Sequence, residues 1–351
     1  MTSPLGREIA AAVARDGPMR LDRYMARCLD RYYAAGTAIG AAGDFTTAPE
    51  VSQMFGEIVG AWALHVWETM GAPSSVRLVE LGPGRGTLAA DMMRIARLRP
   101  AFAAGLTLHL VERSPGMREA QRRALAAHDR VFWHDDFTTV PEGPAIIVAN
   151  EFFDALPVRQ FVRRNGSWRE RAVGIDGGAL ALAETEAADP PPFEAEDGAI
   201  AERHEAGAVL AGNIGARIAG GRGACLIVDY GYAGPAFGDS LQAMRGHGFA
   251  DPLADPGEAD LTAHVDFAQL LGAARAAGAR VAGPMGQGAF LGALGIGLRA
   301  ERLAAANPAR RAAIEADLAR LASPDAMGAL FKAAVIHDAA TPLPPPFAAA
   351  K

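Results

Sequence analysis

The chain has 351 residues, half of them hydrophobic and 21% charged, which is enough apolar material for one large core or two smaller ones and too much for a disordered polymer. A formal charge of −6 argues against a nucleic-acid backbone as the main partner, because phosphate binding needs clustered positive charge. Its two cysteines, Cys28 and Cys225, are far apart, so neither a disulfide framework nor a thiolate metal site is expected, and a reducing cytosol fits.

No apolar run reaches the length of a membrane span, so a soluble, cytoplasmic protein without membrane insertion is expected. The apolar stretch 9–13 is bracketed too tightly by Glu8, Arg15 and Asp16 to serve as a secretory signal. Residues 4–70 read as mostly helical. Ile9, Ala12 and Val13 make one face of a first helix that Asp16-Gly17-Pro18 ends, and Leu21, Tyr24, Met25, Cys28 and Leu29 recur at helical spacing in a second. After a polar loop over 40–50, an amphipathic helix over 51–70 carries Phe55, Ile58, Val59, Trp62, Val66 and Trp67.

The pattern then changes to strands over 76–81, 106–111, 131–133 and 145–149, with helices over 87–98 and 117–127 between them. Short apolar strands separated by helices predict a parallel, doubly wound α/β sheet. From 157 the rhythm breaks. Segments 158–163 and 168–173 flank Asn165-Gly166, a hairpin signal, and 189–193 is a proline-rich linker. A helix over 201–218, a strand over 224–228, a helix over 266–277 and strands over 280–282 and 330–336 follow. Residues 232–262 read as a glycine-rich loop and 286–328 as a helical insertion.

Chemistry concentrates after the first strand, in Glu80-Leu81-Gly82-Pro83-Gly84-Arg85-Gly86-Thr87. Glycines there let the backbone approach a ligand closely, and the helix that follows offers free N–H groups. A dinucleotide loop has its third glycine three residues after the second, whereas Gly82, Gly84 and Gly86 are each two apart. That spacing resembles the first motif of class I S-adenosylmethionine (SAM) methyltransferases and disfavours a nicotinamide enzyme. Glu112, at the tip of the second strand, is the candidate for the ribose hydroxyls. After the third strand, either Asp135 or Asp136 is a candidate for the adenine amino group, and helix capping accounts for either nearly as well.

Several further blocks, among them residues 43–57, Asn150-Glu151-Phe152-Phe153-Asp154-Ala155-Leu156-Pro157, Asp229-Tyr230-Gly231, residues 260–267 and residues 327–332, resemble one family. The chain looks like the MidA-type methyltransferases, whose mitochondrial members are complex I assembly factors. The resemblance covers about residues 4–337 with the motifs in order. It implies a class I SAM-dependent methyltransferase: an α/β, Rossmann-like fold with a seven-stranded, mostly parallel sheet. It also implies arginine methylation of a protein substrate. The mitochondrial members make symmetric dimethylarginine on an iron–sulfur subunit of complex I, in the matrix. Ala48 departs from the pattern, standing where family members often have Ser.

Asn150, Glu151 and Asp154 follow the fourth strand, at the edge where such sheets bind ligands. Asn150 joins the cofactor set. Glu151 and Asp154 are catalytic candidates, because a carboxylate can orient a guanidinium through paired hydrogen bonds. Turn or capping duty explains Asp154 about as well. His264 is a third candidate, as proton acceptor or substrate contact, beside Asp266, which also suits a helix cap. Asp44, Thr47, Glu50 and Gln53 are more polar groups than a helix start needs, where Thr47 or Ser52 could cap, and suggest a lid. No further ligand-spaced residues support a metal.

The expected organisation is an N-terminal helical region with the lid loop (1–70), a SAM-binding core in two parts (71–156 and 201–285) and a last core strand (329–337). Insertions at 157–200, 232–262 and 286–328 form the substrate side. The rival to methyl transfer is an assembly chaperone that binds SAM and methylates nothing.

Overall fold

The structure, a computed structural model, describes residues 3–34, 46–234 and 236–347. Four strands lie where the apolar runs put them: β1 (Val76–Leu81), β2 (Leu106–Val111), β3 (Val131–His134) and β4 (Ala145–Asn150). β5 (Gly223–Tyr232), β6 (Arg280–Gly286) and β7 (Phe331–His337) complete a sheet in the order β6-β7-β5-β4-β1-β2-β3. β7 runs antiparallel to both neighbours and the other strands run parallel. The short segment Val265–Asp266 adds a parallel pairing at the end of β5. A Cβ on Gly231 would sit 2.0 Å from the Val265 carbonyl oxygen, so the pairing requires glycine.

Alternate residues of the central strands feed two apolar layers, as expected of strands covered on both faces. Leu78, Ile146, Val148, Leu226 and Val228 meet Phe55, Trp62 and Met92 on one face. Val79, Leu81, Ile147 and Ile227 meet Ile214, Phe267 and Leu270 on the other. Strand order reverses between β1 and β4, and ligands of open α/β sheets bind in the crevice at that switch point.

The N-terminal helices form as the spacing predicts. Pro4–Asp16 is capped by the Ser3 hydroxyl and ends at Gly17, and Leu21–Ala34 follows. The predicted helix over 51–70 forms as Gln53–Thr69, starting two residues late. Ser52 is extended at φ −160°, separating Ala48–Val51 from Gln53–Thr69, and its hydroxyl caps the second piece at Met54.

The region after β4 differs most from expectation. The Asn165-Gly166 hairpin joins Arg159–Arg164 to Ser167–Asp176, but a second turn at Gly177-Gly178 returns the chain along Ala179–Glu186, whose alternating side chains escaped notice. The predicted helix over 201–218 starts late: Ile200–Arg203 is a strand paired with Arg159–Arg164, and the helix is Glu205–Gly221. With Met19–Arg20 these strands make a five-stranded antiparallel sheet. The supposed loop over 232–262 contains a three-stranded sheet of Gln242–Arg245, Gly248–Ala250 and Asp260–Thr262. Residues 287–330 form four helices, tied to Gln53–Thr69 by Arg299, which donates to Glu57 at 2.6 and 3.0 Å. Among the described residues, no helix is long and apolar enough to cross a membrane.

Candidate functional site

The glycine loop leaves β1 at the switch point with Gly82, Gly84 and Gly86 at φ 61°, 52° and 85°. Gly86 occupies the N-cap of the helix Thr87–Ala96. A Cβ on Gly82 would lie 2.6 Å from the Phe152 ring, so that ring covers the loop only because residue 82 is glycine. Across the crevice, Asn150 ends β4 and Glu151 follows at φ 49°, a left-handed conformation that is uncommon outside glycine. Thr47, Glu50, Glu80, the loop, Thr87, Asn150 and Glu151 line one cleft, which adjoins a hollow of about 260 Å³ reaching Gln53 and the helical insertion. Asp44 lies outside the described residues.

Polar groups beyond the end of β2 are satisfied by the protein, unlike several that line the cleft. Glu112 Oε1 accepts from the Ser114 N–H at 2.8 Å and Oε2 from Gln121 Nε2 at 3.3 Å. The same Gln121 amide donates to the Gly84 carbonyl at 2.7 Å and accepts from the Trp133 indole at 2.8 Å. Gln121 therefore braces the ribose candidate and the glycine loop together. Sequence reasoning missed it, and a buried Gln on a helix face carries no pattern that would have exposed it. Burial pushes Glu112 up from its ordinary value, partly countered by these hydrogen bonds.

The two adenine candidates are both engaged elsewhere. Asp135 is exposed and accepts from Arg118 at 2.6 Å, and Asp136 caps the turn Phe137–Thr139 by accepting from the Thr138 N–H at 2.8 Å. Glu50 accepts from the Thr87 hydroxyl at 2.6 Å, which fastens the lid segment to the helix after the loop. Thr47 stands at the N-cap of Ala48–Val51 without a side-chain cap bond, and Gln53 is exposed.

Around Glu151 several buried oxygens have no partner: Glu80 Oε2, Asn150 Oδ1, Glu151 Oε2 and Asp154 Oδ1. Unsatisfied buried acceptors are expensive, and their concentration beside a glycine cradle fits a site built for a ligand carrying hydrogen-bond donors. Glu151 Oε1 accepts from the Ala48 N–H at 2.7 Å and from Asn150 Nδ2 at 3.1 Å. Burial, with Asp154 adding to it, raises Glu151 to about 8. Burial, helped by Asp91, raises Glu80 to about 8 as well. Asp154 meets the Tyr230 hydroxyl and is pushed up to about 6 by burial. The His264 ring stands edge-on to Tyr230 at 5.4 Å, the His264 backbone N–H donates to Ser240 Oγ at 2.8 Å, and burial lowers the ring's basicity.

Of the two uses open to Asp266, substrate contact and helix cap, the structure shows the cap: its carboxylate accepts from the Ala268 and Gln269 N–H groups and from Gln269 Nε2 at the start of the helix Phe267–Ala276. The reason is positional, since it directly precedes the first helical turn and is buried there.

Residues 58–285 match the model of a family of S-adenosyl-L-methionine-dependent methyltransferases. The chain is 35% identical to the mitochondrial protein arginine methyltransferase NDUFAF7 of Danio rerio, over 93% of this chain and 85% of the relative. It is 34% identical to the Drosophila melanogaster homologue, over 93% and 83%. Among solved structures, a methyl transferase relative from Burkholderia thailandensis, solved bound to S-adenosyl-homocysteine, superposes with a TM-score of 0.85 at 28% identity, covering 97% of this chain and 92% of that one. With a seven-stranded class I sheet, a glycine cradle at its switch point and relatives matched almost end to end, the chain belongs to the MidA-type family of SAM-dependent methyltransferases.

Proposed function

We propose that this protein methylates an arginine guanidinium of a protein substrate and that Glu151 orients the acceptor. The observation that carries the reading is the buried, unpartnered Oε2 of Glu151, a residue that lines the same cleft as the glycine loop. Bound SAM supplies an electrophilic methyl group. Glu80, the loop from Gly82 to Thr87, Glu112 and Asn150 would hold it, with Asp135 or Asp136 toward the adenine. Thr47, Glu50 and Gln53 close over it.

Because Ala48 and Asn150 occupy Oε1, Oε2 accepts from a guanidinium N–H and aims a nitrogen toward the methyl. At about 8, Glu151 holds a proton in the resting site at neutral pH. An arriving guanidinium favours the ionised form and draws that proton off. The nitrogen that gains the methyl must lose a proton, and Glu151 takes it. Asp154 and Tyr230 form the wall behind, backed by His264, which burial keeps neutral.

The names borne by the fish and fly relatives support arginine as acceptor. We place the reaction in the cytoplasm, with an iron–sulfur subunit of respiratory complex I as the first substrate to try. Incubation with labelled SAM and lysate from cells lacking the protein, followed by mass spectrometry, should find methyl groups on arginine. In Glu151→Gln, transfer should fall about 10²-fold while SAM affinity stays nearly intact, as expected when a positioning group is lost. Label on another residue type would overturn the arginine assignment. SAM binding with no protein labelled would favour the chaperone.

A further inference from the structure

Asp229 lies one residue past the Val228–Asn150 pair of β5 and β4, and it is 0% exposed. Its Oδ2 accepts from three successive backbone N–H groups, Phe152 at 3.1 Å, Phe153 at 2.9 Å and Asp154 at 3.3 Å. Its Oδ1 accepts from the Tyr230 N–H at 3.0 Å. Consecutive amides converging on one anion form a nest, an arrangement that fixes the local backbone. Directly upstream, Glu151 holds its left-handed φ, and its own N–H donates to the Val228 carbonyl at 2.9 Å.

A non-glycine residue with positive φ persists only where its surroundings over-determine it. Here the surroundings are one strand, β5, acting through a carbonyl before the strained residue and a carboxylate after it. The same carboxylate fixes the backbone of Phe152, whose ring covers Gly82. Burial and the neighbouring carboxyls of Asp154 and Glu151 push Asp229 well above the usual carboxylate range, against the opposing pull of its backbone N–H donors.

We propose that Asp229 is a positioning residue for methyl transfer, clamping residues 152–154 so that Glu151 keeps its conformation beside the cleft. The inference rests on the reading of Glu151 as the acceptor-facing carboxylate. An asparagine at 229 would offer one oxygen to the three amides and turn its NH₂ against the Tyr230 N–H, donor facing donor.

The test is a cycle on the full chain: wild type, Asp229→Asn, Glu151→Gln and the double variant. For each, SAM affinity is measured by titration, melting temperature by scanning, and labelled-methyl incorporation into lysate protein as an initial rate at saturating SAM. Asp229→Asn should lower the rate about 10- to 100-fold with SAM affinity changed by less than about 3-fold. In the Glu151→Gln background the same change should lower the rate by no more than about 2- to 3-fold further, the signature of two residues acting as one unit.

Equal losses in both backgrounds, or an unchanged rate in Asp229→Asn, would overturn the clamp. A full rate in Glu151→Gln would instead overturn the reading of Glu151, and the clamp with it. Should Asp229→Asn not fold, hydrogen exchange on the wild-type protein decides: the Phe152, Phe153 and Asp154 amides should be protected like those of β4. Exchange as an open loop would overturn the proposal.

Discussion

Two groups of polar residues at the carboxyl ends of the strands are built on opposite plans. Beyond the ends of β2 and β3, Glu112, Gln121, Asp135 and Asp136 all have protein partners, most of them close in sequence. Around the ends of β1 and β4, Glu80, Asn150, Glu151 and Asp154 each keep a buried oxygen with no partner. A satisfied group is a finished surface whose shape does not depend on occupancy. An unsatisfied group stores the desolvation cost of its orphaned atoms, and a ligand that supplies donors recovers it. The first plan suits a fixed frame, and the second suits selection among ligands, because a molecule lacking the right donors leaves the cost in place.

The sharpest way to break this contrast is to fill the cradle. In Gly82→Val, a branched side chain at φ 61° would be driven into the Phe152 ring. SAM should then give no rise in melting temperature, where wild type gains stability by mass action. A full rise in the variant would remove the glycine loop from the site.

A smaller effect is expected in the braced group. Glu112→Ala should weaken SAM binding by about 1–3 kcal/mol, the range of charge-assisted hydrogen bonds, while transfer at saturating SAM survives. Titration and rate measured on one preparation would check both halves, and loss of transfer at saturation would mean that the two groups are not separable.

A third test concerns pH and stability. Glu151 stands at about 8 in the folded chain against an ordinary 4.5, so the native state holds a proton that the unfolded chain has released between those values. Its contribution is fully present below about 4.5 and is lost as pH rises through about 8. Glu151→Gln cannot lose it. Melting curves from pH 5 to 9 should therefore show the variant gaining on wild type up to about 8 and level beyond, in line with linkage. Parallel curves would mean that the carboxyl is ionised in the resting site.

Local pattern made the central sheet legible. The apolar runs gave β1 and β2 to the residue, and Gly82, Gly84 and Gly86 marked the cradle, because a glycine loop between strand and helix is a local feature. The antiparallel sheet was half legible. Asn165-Gly166 announced one turn, but Ala179–Glu186 mixes alanine with glutamate and hides its period, and Ile200–Arg203 is a strand only because Arg159–Arg164 pairs with it. The group around Glu151 was legible in its residues and not in its geometry. Nothing near Glu151 in sequence reveals that Ala48 takes one of its oxygens from 103 positions away, or that Asp229 gathers three amides after it. Those contacts are products of strand order, which residue pattern does not encode locally.

The turn at Gly177-Gly178 has a practical consequence. Both cysteines of the chain are buried, and burial pushes the Cys28 thiol up to about 11 and raises Cys225 further, so neither offers a ready thiolate at neutral pH. Ala179, which follows the turn, is exposed and does not line the cleft. A cysteine placed there would be the single reactive thiol on an otherwise unaltered protein, and one fluorophore could be attached without first removing either native residue.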